Sequence, residues 1–176
     1  MKTKTTITLK LLNAFCGDAP DRPYLDEPFR YTIDDRPWVI ATDGRIAIRV
    51  DASLFPQVET RNQDREGIGT TWRLYRDRDW KPLRSKTSMQ KCGLCGGTKL
   101  CRHCNEGPCP DCLGTGKRPT GVVTFGKQSL AARYVWLASM LPDVKFCEGD
   151  TPENPVSFKF TGGQGLLMPL RKSDYA

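Results

Sequence analysis

Three Cys-x-x-Cys pairs stand close together in the chain: Cys92-Gly-Leu-Cys95, Cys101-Arg-His-Cys104 and Cys109-Pro-Asp-Cys112. Two cysteines separated by two residues aim both sulfurs at one tetrahedral ion, and two such pairs close a structural zinc site. Six of the eight cysteines sit here, so Cys92, Cys95, Cys101, Cys104, Cys109 and Cys112 are the predicted ligands of Zn²⁺. The ligand arithmetic has three solutions. Six thiolates make one four-cysteine site with a spare pair, two sites if His103 and another donor join, or two ions sharing bridging sulfurs. Cys92/Cys95 and Cys109/Cys112 are favoured for the first ion, because Cys112-Leu-Gly114-Thr-Gly116 and Cys95-Gly-Gly97-Thr-Lys99 supply the glycines that a turn with positive φ needs. His103, the only histidine, is equally well read as an exposed loop side chain. Four thiolates leave no open coordination position, so the ion is expected to hold structure and not to activate water.

The second chemistry-bearing stretch precedes the cysteines. Trp72, Tyr75 and Trp80 are interleaved with Arg73, Arg76, Arg78, Lys81, Arg84 and Lys86, and Lys91 follows. Rings for stacking and cations for phosphates are the composition of a single-strand nucleic-acid platform, so these seven basic residues are the predicted contacts. The alternative is a strand whose Trp72 and Leu74 pack on the core or the zinc module while the arginines are solvated. Charge points to an acidic partner. Residues 61–120 hold 13 Lys or Arg against 6 Asp or Glu, the flanking stretches balance, and the whole net charge of +7 falls on this segment. Nucleic acid is the commonest partner of that kind.

Other functions lack carriers. With one histidine, no Gly-rich phosphate loop and neither H-E-x-x-H nor G-x-S-x-G, the chain is expected to be non-enzymatic. No apolar run approaches the length of a membrane span and no signal-type segment opens the sequence, so no membrane partner and a cytoplasmic setting with reduced thiols are expected. Cys16 and Cys147, in apolar contexts, are predicted to be buried small side chains.

The ligands need a scaffold, and the periodicity on either side of them supplies one. Residues 5–7 can start a strand. Thr8 then caps a short helix with Leu11, Leu12, Phe15 and Cys16 on one face. Residues 29–33, 38–42 and 46–50 read as strands, with Asp43-Gly44 a hairpin signal. Residues 59–69 read as a loop. After the cysteines the order returns: a strand at 122–125, a helix from Ser129 with Leu130, Tyr134, Leu137 and Leu141 in register, then strands at 144–147, 156–160 and 166–170. The prediction is an α+β fold of two β-α-β-β-β halves, 1–60 and 121–176, burying one core with both helices on one face. Between them lie a basic, aromatic connector at 61–91 and the zinc insertion at 92–120.

Two resemblances follow from these motifs. The C-x-x-C-x-G-x-G repeat resembles the cysteine-rich zinc region of the DnaJ co-chaperones, although no His-Pro-Asp J-domain signature occurs. The two halves resemble the repeating domain of the bacterial DNA polymerase III sliding clamp, the beta subunit. Ala41-Thr42-Asp43-Gly44-Arg45-Ile46-Ala47 is similar to the A-T-D-G-H-R-L-A of that family, and Leu167-Met168-Pro169-Leu170-Arg171 to its closing V-M-P-M-R. The resemblance implies helices facing DNA, and a hydrophobic pocket for short peptides of replication or repair proteins at Thr42, Gly44, Arg45, Met168, Pro169, Leu170 and Arg171. Met168 and Leu170 are equally readable as edge-strand core. A complete ring would need several copies, so a homo-oligomer stays open. A one-domain relative of this kind resembles a phage-encoded accessory factor to replication. The other reading of the chain is a protein-interaction, chaperone-like module whose zinc region binds an unfolded or host protein.

Overall fold

Two stretches of alternating apolar residues, one on each side of the cysteines, become two three-stranded meanders of a single antiparallel sheet. The structure, a computed structural model, describes residues 6–17, 25–60, 66–83, 87–100, 107–109 and 111–171. In chain order the elements are α1 (Leu9–Asn13), β1 (Phe29–Ile33), β2 (Arg36–Thr42), β3 (Ile46–Asp51), α2 (Glu66–Trp72), β4 (Ser88–Lys91), β5 (Lys117–Thr120), β6 (Val122–Phe125), β7 (Gln128–Ala131), α3 (Ala132–Ser139), β8 (Lys145–Cys147), β9 (Val156–Phe160) and β10 (Gly163–Leu167). The main sheet runs β1-β2-β3-β10-β9-β8, an order symmetric about its central β3–β10 pair. The fold is therefore α+β, and each meander is preceded by a helix that covers the same face.

The sheet feeds two cores because side chains along its strands point alternately to the two faces. Ile46, Ile48, Val50, Val156, Phe158 and Phe160 meet Leu12 and Phe15 beside α1, and Val135 and Ala138 of α3, in the larger core. Phe29, Ile33, Trp38, Ile40 and Leu166 face the other way into a second cluster. The Phe158 ring lies over Gly165, where a Cβ would come within 2.0 Å of it. At the start of α1, Thr8 accepts the Leu11 N–H through its hydroxyl at 3.2 Å, the expected cap.

The second core is closed by the connector. Arg30 at the β1 edge bridges Thr60, its N–H donating to Glu59 O at 3.0 Å. The chain then crosses the back of the sheet. Trp72 is buried at the end of α2, with the Arg49 guanidinium 4.6 Å from its ring and 4.5 Å from that of Trp38. Further on, the Arg76 N–H donates to Ser157 Oγ on β9 at 2.8 Å, and Lys159 sits 4.4 Å over Trp80. At the far edge Lys81 and Phe146 exchange two backbone bonds of 2.8 Å. Residues 66–81 thus strap the back face, with a bridge from Lys81 to β8, while Thr60 bridges β1 at the other edge. At Trp72 the structure agrees with the second of the two expectations, packing on the core. Trp72 belongs to the core because the back face of the sheet is apolar and needs cover.

Four further expectations change. Thr5 lies outside the described residues, and Thr6 and Ile7 form no strand. The loop predicted over 59–69 contains the start of α2. The second helix begins at Ala132 and not Ser129, because 128–131 pair with β6; Gln128 is fully buried and donates to the carbonyls of Gly149 and Thr151 at 3.1 and 2.7 Å. The last strand is Gly163–Leu167 and not 166–170, since Met168 and Leu170 leave the sheet and donate their N–H groups to Arg45 O and Ser129 O at 2.8 and 2.7 Å. No helix among the described residues is long and apolar enough to cross a membrane.

Candidate metal centre

The insertion is two knuckles facing each other, and their backbones match position by position. After Cys112 come Leu113, Gly114 and Gly116 with φ of 50, 79 and 75°; after Cys95 come Gly96, Gly97 and Lys99 with φ of 58, 83 and 73°. Lys99 therefore holds the left-handed conformation that glycine holds in the other knuckle, at a cost of about 1–2 kcal/mol. Thr98 and Thr115 close the two turns alike, each hydroxyl donating to the preceding cysteine carbonyl at 2.7 Å. The knuckles also bind each other reciprocally. Cys92 N–H donates to Gly116 O at 2.9 Å, and Cys109 N–H to Lys99 O at 2.8 Å.

This pairing brings the four outer cysteines together, all buried, with their sulfurs within 4.8 Å of one another. Cys92 and Cys109 are 3.8 Å apart, as are Cys95 and Cys112. Thiolates around a tetrahedral ion at bonds of about 2.3 Å stand about 3.8 Å apart, so the donor set fits one metal ion. The Gly116 N–H donates to Cys112 Sγ at 3.2 Å, the expected turn amide aimed at a thiolate. Burial pushes the Cys92 thiol up to about 12. At Cys95 burial acts in the same sense, but the N–H groups of Lys99 and Gly97 and the neighbouring thiols outweigh it and bring the group to about 7. An ion binding here must displace protons, so its affinity falls as pH falls.

Asp111, inside the second Cys-x-x-Cys, ties the centre to the scaffold. Its Oδ2 lies 3.3 Å from Cys92 Sγ and accepts from Arg118 Nη1 of β5 at 2.8 Å, and Arg133 Nη2 of α3 lies 3.6 Å from its Oδ1. Leu113 packs against the larger core, and an apolar crevice of about 140 Å³ separates Pro108 and Cys109 from Ala14 beside α1. The module therefore sits on the helical side of the sheet. Burial raises the Asp111 carboxyl, but the Arg118 hydrogen bond and the adjacent charges outweigh it and hold it below the usual carboxylate range. Its contribution is present above the ordinary carboxyl pKa and is lost as pH falls through the lower folded value. Asp111→Asn is expected to cost about 1–3 kcal/mol with the metal retained, read by thermal melting alongside metal analysis. An unchanged melting temperature would show that Asp111 is not the tie. Sequence reasoning missed Asp111, although its place between two ligands was a usable signal.

The other predicted residues are dispersed. Arg73, Lys81 and Lys91 are exposed, while Arg76 and Arg78 both pair with Asp150, Arg76 at 3.2 Å. Arg84, Lys86, Cys101, His103 and Cys104 lie outside the described residues. Thr42 is buried and donates to Ile46 O at 2.8 Å, and Asp43 accepts from the Arg45 and Ile46 N–H groups, closing the predicted turn at Gly44. The Met168–Arg45 bond joins this turn to Met168, Pro169, Leu170 and Arg171 at one end of the sheet. Cys147 is buried as expected and Cys16 half-buried. No family model, curated protein or solved structure matches the chain.

Proposed function

We propose that the protein is a non-enzymatic, DNA-associated accessory protein in which a clamp-like scaffold carries a zinc-held module. The symmetric sheet order carries this reading: two helix-plus-meander halves share one sheet, with both helices on one face. Zn²⁺ is the ion that buried, all-cysteine tetrahedral sites take, and Cys92, Cys95, Cys109 and Cys112 would hold it with no position left for water. In the clamp family the helices face DNA; here the module lies on that side, so the module and not the bare helices would meet the partner. Asp43-Gly44-Arg45 beside Met168-Pro169-Leu170 supports a peptide site of the clamp kind at the end of the sheet.

The test is fluorescence anisotropy with labelled single- and double-stranded oligonucleotides across a salt series. Binding is expected at low salt and should weaken on the order of 10- to 100-fold between about 50 and 200 mM, as phosphate contacts release counterions. No binding at the lowest salt would refute the reading. A specific observation favours a second reading, a protein-interaction module. Met89, Leu94 and Leu100 of the insertion are exposed, and large exposed aliphatics fit proteins better than phosphates.

A further inference from the structure

The outer edge of the β4–β5 hairpin pairs with no described residue, and its chemistry is selective. Its register pairs Met89 with Pro119 and Lys91 with Lys117. Pro119 has no N–H, so Met89–Pro119 is a non-hydrogen-bonded pair of the ladder, and by alternation Lys91–Lys117 is another. The Cys92 N–H bond to Gly116 O continues the same phase. The backbone N–H and C=O groups of Met89 and Lys91 consequently point away from β5. β5 packs against α3, whereas all four residues of β4 are exposed, and among the described residues nothing pairs with its outer edge.

Three lysines stand near this hairpin: Lys91 on β4, Lys117 opposite it on β5, and Lys99 in the first knuckle. Lys91 and Lys117 occupy the kind of pair in which side chains come closest, and like charges there oppose the hairpin. Lys99 retains a left-handed backbone where the companion knuckle has glycine. Its stem crosses Gly116, Cγ lying 3.0 Å from where a Cβ would stand, and the Lys91 stem crosses Gly97 with Cε at 2.9 Å. None of the three makes an ion pair with a described residue; Asp111, the one described carboxylate of the module, is taken by Arg118 and Arg133. Met89 shares the face of Lys91 and Lys117 and is 42% exposed. No Phe, Tyr or Trp lies in residues 87–120, so apart from His103 bases would find no ring to stack on.

We propose that the outer edge of β4 takes up an acidic, extended segment of a partner protein as a third strand. Main-chain bonds to Met89 and Lys91 hold it, Lys91, Lys99 and Lys117 meet its carboxylates, and Met89 meets an apolar side chain. Edge lysines ordinarily deter strand pairing; here they reject apolar and basic strands and admit an acidic one. The inference names a partner class for the zinc module and rests on that module being folded, not on DNA association.

The full-length, metal-loaded protein is titrated with a labelled peptide of alternating Glu and Val, a Lys–Val control peptide and a single-stranded oligonucleotide. Saturable binding of the acidic peptide alone among the peptides is expected. It should weaken at least about tenfold in Lys91→Glu/Lys117→Glu and equally in Met89→Pro, which removes an outward N–H and spares the β4–β5 ladder. Metal content confirms that each variant keeps its module. Absence of acidic-peptide binding overturns the inference, as does binding that neither variant weakens. Oligonucleotide binding without peptide binding overturns it while leaving the DNA reading standing. Concentration-dependent dimerisation abolished by Met89→Pro, again without peptide binding, assigns the edge to a second copy instead.

Discussion

Removing the metal is expected to unfold residues 87–120 while the six-stranded sheet stays folded. Among the described residues the buried cluster of the module consists of Cys92, Cys95, Cys109 and Cys112, so those residues keep no apolar cluster of their own once the ion leaves. A structural zinc contributes on the order of 10 kcal/mol or more to a module of this size, which exceeds what two knuckles and a short hairpin supply by themselves. The scaffold keeps Phe146, Phe158, Phe160 and the residues beneath α1 and α3, and loses the Leu113 contact, the packing of β5 on α3 and the Asp111 tie. Hydrogen exchange with and without a strong chelator reads this directly: amides of the knuckles should lose protection and those of β2, β3, β9 and β10 should keep it. Cys112→Ser should reproduce the effect without a chelator. Protection of the knuckles that survives complete metal removal would sink the metal assignment. Because the thiols must deprotonate to bind, the chelator concentration needed should fall as pH falls.

The second large effect is expected at Trp72. Trp72→Ala should cost about 3–5 kcal/mol in denaturant unfolding, the range for a buried aromatic cut to a methyl group. Its ring is 5% exposed, packs with Phe29, Ile33, Ile40 and Leu166, and holds Arg49 between itself and Trp38. The loss goes further than one cavity. Trp72 pins the middle of a strap that ends at the Lys81–Phe146 bridge, so loosening it exposes that strand edge to pairing with other chains. Light scattering at rising protein concentration should therefore show association in Trp72→Ala and none in the wild type. Leu74→Ala, two residues on but 37% exposed, should change stability by no more than about 0.5 kcal/mol. A loss below about 1 kcal/mol for Trp72→Ala would show that the strap is an ornament of the sheet and not part of its core.

The strap also separates what composition can say from what it cannot. Trp72, Tyr75 and Trp80 among arginines fit a stacking surface or packing, with packing the commoner use, since both need the same residues. The difference lies in what stands opposite: pairing of β3 with β10, 115 residues apart at Arg49 and Gln164, assembles a sheet whose back face carries Phe29, Ile33, Trp38, Ile40 and Leu166 for Trp72 to cover. Lys99 is a similar case. The missing glycine reads as a weaker repeat, yet the backbone adopts the glycine conformation there, because the reciprocal bonds between the knuckles hold it in place.

From its own letters the chain determined the short-range features: the Thr8 cap, the Asp43-Gly44 turn, the alternation of the main strands and the outer cysteine pairs as one ligand set. These depend on side-chain periodicity and ligand spacing within a few residues, which physics reads locally. Tertiary structure alone decided which sheet face the connector covers, that Asp111 joins the module to α3, and which edge of the hairpin pairs with no described residue. Those outcomes depend on groups meeting from distant parts of the chain, where pairing geometry and burial select among partners that sequence order leaves equivalent.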